Sequence, residues 1–256
     1  MRTHASSNAT ISLIIAAAGS GRRMGGVPKP FLTLDGKSLL LHCLTNLGEH
    51  PDVDRIVIAS RKDLLSQVEA TVSRWGGRAD IIEGGSTRAR SVQNALRFLD
   101  GEGDLVAVHD AARPLATGRL LGRVAEMAGA HGAAVPVLPV SDTVKRISPP
   151  GTDRAEMVLE TLDRSVLRAV QTPQVFSNRV LSQAYASARG DLAQFTDDAS
   201  LLEASGHPVF LVAGEEDNIK ITTPRDLQIA RSFFSDRDDL RVGCGYDSHR
   251  LVAGRP

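Results

Sequence analysis

Short, wholly apolar runs alternate along this chain with stretches of helical periodicity, and that alternation constrains the fold more than any other feature. Residues 11–17, 55–59, 79–82, 105–108, 133–138 and 208–212 read as strands. Several are apolar throughout, as a parallel strand covered on both faces requires. Helical spacing marks residues 38–47, 62–75, 88–99, 117–130, 179–188, 198–204 and 224–234. Pro224 suits the first turn of the last helix, with Thr222 or Thr223 as its cap. The pattern predicts an α/β fold with a Rossmann-like doubly wound sheet. Ligands bind such sheets beyond the carboxyl ends of the strands, at a topological switch point. One segment breaks the rhythm. Residues 142–173 contain Pro149-Pro150-Gly151, flanked by β-like runs at 143–147 and 156–159, which reads as a hairpin-like excursion.

Length and charge narrow the classes. At a typical ~150 residues per domain, 256 residues amount to roughly 1.7 domains, enough to bury a full core. The 30 Lys+Arg balance 30 Asp+Glu, which excludes a generally basic nucleic-acid or anionic-membrane binder but leaves room for a local patch. No run approaches the ~20 apolar residues of a membrane span. Arg2 and His4 ahead of residues 11–18 have the outline of a short signal peptide. Ser12 interrupts that run, however, and a Gly/Arg loop follows at once, so a buried strand explains it better. Cys43 and Cys244 are far apart and form no disulfide framework, and a cytoplasmic location is expected.

Four loops carry candidate chemistry. The first strand runs into Ala17-Ala18-Gly19-Ser20-Gly21-Arg22-Arg23-Met24-Gly25-Gly26, followed by Pro28-Lys29. Small residues let a ligand approach the backbone, and successive amides can cradle an anion. The dinucleotide fingerprint fails because Met24 stands at its third glycine. The P-loop fails because Val27 stands at its lysine. A phosphate-style loop of neither class remains, with Arg22, Arg23 and Lys29 as fixed cations of the kind triphosphate chemistry needs. The second loop, Gly84-Gly85-Ser86-Thr87-Arg88-Ala89-Arg90-Ser91, offers caps and anion-facing donors ahead of a helix. The third, His109-Asp110-Ala111-Ala112-Arg113-Pro114, places a carboxylate at a strand's carboxyl end, where it can meet a metal or a ribose hydroxyl. The fourth, Asp217-Asn218-Ile219-Lys220-Ile221-Thr222, holds a lysine between two isoleucines, as if projecting from an apolar strand toward a pocket. Only five of the basic residues are lysines, which makes Lys29 and Lys220 stand out.

In order along the chain, AAAGSGRRMGG with PK, GGSTRARSV, VHDAARP, DTVKR, LDRS, QTPQVF, TDDASLLE and DNIKITTPRDL closely resemble the 2-C-methyl-D-erythritol 4-phosphate cytidylyltransferase family over residues 11–235. The resemblance implies a nucleotidyltransferase sheet with a protruding β-arm at about 140–173. It implies cytidylyl transfer from CTP to 2-C-methyl-D-erythritol 4-phosphate, with Mg2+, on the non-mevalonate isoprenoid route. By the same resemblance, Arg23 and Lys29 stabilise the α-phosphate, while Ala17, Ala18, Gly19 and Gly21 line the nucleotide. Gly85, Ser86 and Ser91 match cytosine and ribose contacts. Asp110 and Ala111 face the ribose and the substrate or metal region, with Asp110 the weaker metal ligand because the phosphates can hold most of the ion. Thr143, Arg164, Thr196 and Lys220 match substrate contacts, and Arg164 and Lys220 position the attacking phosphate. The arm exchanges with a second subunit, so a homodimer is expected. Ala16 stands where the family often has Pro, and Pro30 where Gln is common; neither removes a charge.

Residues 241–256 are similar to the opening of the zinc-dependent cyclodiphosphate synthase of the same pathway, with Asp247 and His249 as an incomplete zinc half-site. The expected layout is a leader at 1–10, a catalytic domain at 11–235, a linker at 236–240 and the truncated start of a second domain. That reads as a fragment of a bifunctional enzyme. Two alternatives stay open: a related nucleotidyltransferase for another alcohol or sugar phosphate, and a non-catalytic nucleotide-binding module.

Overall fold

The computed structural model describes residues 9–19, 27–149 and 156–234. Its centre is β1 (Ile11–Ala16), whose Leu13, Ile14 and Ile15 are fully buried. Parallel neighbours flank it: β4 (Val53–Ser60) on one side and β6 (Leu105–Asp110) on the other. Beyond β4 lies β5 (Asp80–Glu83), also parallel. The short β2 (Thr33–Leu34) and β3 (Lys37–Ser38) form a separate hairpin. Side chains alternate across β1, so Leu13 and Ile15 pack on one face and Ile14 on the other. The first face is covered by α1 (Leu39–Leu47), α2 (Leu65–Trp75) and α4 (Gly118–His131), through Leu40, Leu44, Val68, Leu120 and Val124. The second is covered by α3 (Arg88–Leu99), α5 (Asn178–Ser187) and α6 (Asp198–Ala204), through Val92, Leu99, Leu181 and Leu202. Burial on both faces is why these strands are apolar at consecutive positions. Thr223 caps α7 (Pro224–Ser232), with Asp226 closing a capping box, so the cap is the second of the two threonines considered.

Past β6 the sheet departs from a purely parallel design. β7 (Ala133–Pro139) pairs in parallel with β12 (Phe210–Ala213) on one side. On the other it meets two antiparallel segments, β10 (Arg168–Val170) and β11 (Gln174–Ser177), and β11 also pairs with β6. Neither antiparallel strand was expected; each is only three or four residues long, too short to show a period. The excursion is a hairpin of β8 (Lys145–Ile147) and β9 (Val158–Thr161). β9 lies two residues later than the sequence suggested. Arg146 opposes Glu160 there and donates to both carboxylate oxygens, at 3.1 and 3.0 Å.

The strand order β5-β4-β1-β6 reverses direction between β1 and β6, which is the topological switch point. The segment around Lys220 is not a strand, contrary to expectation. Ile221 donates one backbone bond to Ala112 and is itself fully buried, so the segment is an extended loop pinned beside β6.

Candidate active site

A cavity of about 490 Å3 opens at the switch point. Ala17, Ala18 and Gly19, leaving β1, form one wall. The Ala17 N–H donates to Ala59 O at 2.9 Å and the Ala111 N–H to Ala16 O at 3.2 Å, which ties this turn to both neighbouring loops. The loop after β5 forms the adjoining wall. Its Gly85 N–H donates to Ser91 Oγ at 3.0 Å, and the Ser91 hydroxyl donates to Thr87 O at 2.9 Å. A Cβ on Gly85 would collide with Arg90 Cβ and lie 2.9 Å from the Arg90 carbonyl carbon. Only glycine lets this loop fold back so closely on its own helix. Thr87 caps α3, accepting from the Arg90 N–H at 3.1 Å.

The floor is charged. Asp110, at the carboxyl end of β6, accepts from Lys220 Nζ at 2.6 Å and from Arg88 Nε at 2.8 Å. Burial pushes the Asp110 carboxyl up, but Arg88 and then Lys220 outweigh it and hold the group well below the usual carboxylate range. Arg88 also donates through Nη1 to the fully buried Asp198 at 2.7 Å. Against the cost of burial, the Asp198 and Asp110 carboxylates hold the guanidinium above its ordinary value. Behind Asp110 lies His109, wholly buried, whose pKa burial lowers from 6.5 to about 4. The neutral ring fixes a direction of hydrogen bonding. His109 Nε2–H donates to Arg113 O at 3.0 Å, and Nδ1 accepts from the Thr172 hydroxyl at 3.0 Å. Thr172 Oγ1 then accepts from the Asp110 N–H at 3.1 Å.

Of the residues singled out in the sequence, Ala17, Ala18, Gly19, Lys29, Gly85, Ser86, Ser91, Asp110, Ala111 and Lys220 line this cavity together. Thr143, Arg164 and Thr196 do not line it and are exposed. Arg164 sits beside the hairpin and donates to Ser141 O. Gly21, Arg22, Arg23, Asp247 and His249 lie outside the described residues. Arg88 and Thr222 line the cavity without having been singled out, and Asp198 stands behind Arg88. Arg88 did carry a signal. It is the first residue of a helix, where the macrodipole disfavours a cation, so its presence there needs a local anion to explain it.

Glycine-tight backbone at a switch point, with a lysine and an arginine on one carboxylate and a second lysine in the same cavity, defines a nucleotide-handling transferase that works by placing charge. The family model for 2-C-methyl-D-erythritol 4-phosphate cytidylyltransferase matches residues 11–236. The chain belongs to this family of nucleotidyltransferases. A protein of that name from Symbiobacterium thermophilum is 45% identical over 224 residues, covering 86% of this chain and 91% of the relative. The bifunctional enzyme IspD/IspF of Anaeromyxobacter dehalogenans is 44% identical over 242 residues. That match covers 94% of this chain, which spans 61% of the relative's length. Among solved structures, 4-diphosphocytidyl-2C-methyl-D-erythritol synthase of Anaerococcus prevotii superposes with a TM-score of 0.76 at 28% identity, over 89% of this chain and 96% of that one. The bifunctional IspDF of Campylobacter jejuni gives 0.70 at 30% identity, over 86% of this chain and 53% of that one.

Proposed function

We propose that this chain transfers the cytidylyl group of CTP to 2-C-methyl-D-erythritol 4-phosphate, giving 4-diphosphocytidyl-2-C-methyl-D-erythritol and pyrophosphate. The observation that carries the reading is the placement of Lys29 and Lys220 in one cavity with the Gly84–Ser91 loop and Asp110. A phosphate oxygen of the acceptor attacks the α-phosphorus of CTP. One P–O bond forms, the bond from the α-phosphorus to the bridging oxygen breaks, and pyrophosphate leaves with that electron pair. Phosphoryl chemistry of this kind needs positioning and charge neutralisation rather than a protein nucleophile. In this reading Lys29 and Arg23 hold the α-phosphate, and Lys220 leaves Asp110 to orient the incoming phosphate. The glycine loops take the cytosine and ribose, with Ala17, Gly85, Ser86 and Ser91 at the nucleoside end.

Asp110 brings hard carboxylate oxygens to the cavity floor, but Arg88 holds Oδ1 and Lys220 holds Oδ2, so it would take Mg2+ only through Oδ2 once Lys220 turns to the incoming phosphate. Among the described residues no cluster of three potential protein ligands exists, so nucleotide phosphates would complete the ion's shell. Bound there, Mg2+ would neutralise phosphate charge and fix the triphosphate's shape. The hairpin arm supports a homodimer. Its Met157 is 63% exposed and the nearby Val166 76%, an apolar surface that a second copy would cover. Thr143 and Arg164 would then serve the partner's cavity. Among the described residues no helix is long and apolar enough to cross a membrane.

The test is pyrophosphate release with CTP, Mg2+ and methylerythritol phosphate, against a panel of ribitol and sugar phosphates. Lys29→Ala and Lys220→Ala should each lower turnover by about 10²–10³ while leaving the protein folded. Folded wild-type protein that releases nothing, or prefers another acceptor, would overturn the assignment.

A further inference from the structure

Behind the cavity floor, Tyr185, Asp198 and Arg88 continue the Asp110–Lys220 pair into a line of polar groups, and the reaction as described does not use these three. Tyr185 OH donates to Asp198 Oδ1 at 2.6 Å, and Asp198 Oδ2 accepts from Arg88 Nη1 at 2.7 Å. Arg88 Nε reaches Asp110 Oδ1 at 2.8 Å, and Asp110 Oδ2 holds Lys220 Nζ at 2.6 Å. Burial and the Asp198 charge push the Tyr185 phenol up, so it remains a donor. Asp198 is fully buried on α6, far in sequence from every cavity loop. Burying carboxylates and a guanidinium costs several kcal/mol per ion, so such a network is poor value as stabilisation alone.

The atoms show what the network does. Arg88 places one nitrogen on each carboxylate and leaves its third, Nη2, buried without a partner among the described residues. A guanidinium facing a single carboxylate closes on it with two parallel bonds. The nitrogen that would join Nε in such a closure is Nη2, as in the Arg146–Glu160 pair. By anchoring Nη1, Asp198 sets the orientation of the guanidinium so that Nε alone meets Asp110, and Oδ2 is left to Lys220. We propose that Asp198 is a positioning residue for cytidylyl transfer: by splitting Arg88 between two carboxylates, it reserves one oxygen of Asp110 as the tether that sets Lys220. The charges support this division. Two cations and two anions balance in the floor, so no excess charge draws Lys220 away before an anionic ligand arrives. The inference rests on the cytidylyl-transfer reading.

The experiment compares wild type, Asp198→Asn, Lys220→Ala and their double variant in pyrophosphate release. Asp198→Asn should lower kcat by about tenfold or more while KM for CTP stays within about threefold. In the Lys220→Ala background the same change should cost less than about twofold, because the residue it positions is gone. Asp197→Asn, one residue earlier on a carboxylate that faces Gln174, should leave kcat unchanged. If Asp198→Asn does not fold, Tyr185→Phe removes the donor to Asp198 Oδ1 and should lower kcat by a few-fold at unchanged KM. The role is overturned if the foldable variant keeps wild-type kcat, or if its cost is the same with and without Lys220. Wild type that releases no pyrophosphate would overturn the reaction and the role together; wild type that turns over beside an unaffected Asp198→Asn would overturn the role alone.

Discussion

Acidification should loosen this protein through His109 before it reaches any carboxylate. The ring is wholly buried and neutral, with a pKa of about 4 in place of 6.5. The sign follows from proton counting. Below 6.5 the unfolded chain takes up a proton that the native state refuses until about pH 4, so stability falls as pH falls through that window. The full gap corresponds to about 3 kcal/mol, and about 2 kcal/mol of it is lost between pH 7 and pH 5. Asp110 acts in the same direction, but only below about pH 4, where carboxylates take up protons. Function should fail only at the lower edge of that window, near pH 4, where the native ring itself takes up the proton. A protonated Nδ1 cannot accept from Thr172, whose oxygen in turn holds the Asp110 N–H. The measurement is urea unfolding at pH 7 and pH 5 for wild type and His109→Gln, so that all other groups cancel. Wild type should lose about 2 kcal/mol more than the variant between the two pH values. Equal losses would refute the buried neutral histidine as the acid-sensitive element.

Other consequences of the geometry can be checked directly. Gly85→Ala should push the loop off α3 and lower pyrophosphate release on the order of tenfold to a hundredfold, with little change in melting temperature. Phe176→Ala, at a fully buried position of β11 between β6 and β7, should cost about 3–5 kcal/mol in urea unfolding. Met157→Asp on the arm should convert a dimer to a monomer in sedimentation velocity and depress turnover with it; an unchanged mass and rate would remove the arm from both roles.

The part of the fold legible in the sequence is the part buried on both faces. Strands β1, β4, β6 and β7 need apolar residues at consecutive positions, and such runs are rare enough to see. β10 and β11 leave no such trace. β10 is exposed along its length, and both take their place from the edges of β6 and β7 rather than from a pattern of their own. Lys220 shows a different failure. The Ile219-Lys220-Ile221 alternation reads as a strand, yet the loop is held by the Arg113 and Asn218 bonds that surround it. The buried Ile221 anchors one side of the alternation, and Lys220 beside it lines the cavity.

The glycine loops and the carboxylate at the end of β6 were legible for a related reason: each announces its chemistry locally, through small residues or a charge at a strand's end. Asp198 lies in the TDDASLLE motif, yet nothing local announces its role. Its partner Arg88 is 110 positions away, and only the packing of α6 against α3's end of the sheet brings them together. Pairing across the fold also accounts for how a chain of zero net charge can hold a candidate anion site. Arg88 and Lys220 sit against Asp110 and Asp198, so their charge is stored in ion pairs rather than displayed. An incoming phosphate then competes for Lys220 at one bond, that to Asp110, while Arg88 stays doubly anchored. The strength of that single bond therefore sets how readily the cavity converts from a neutral, closed ion-pair network to an anion site, and it is the bond whose geometry Asp198 governs.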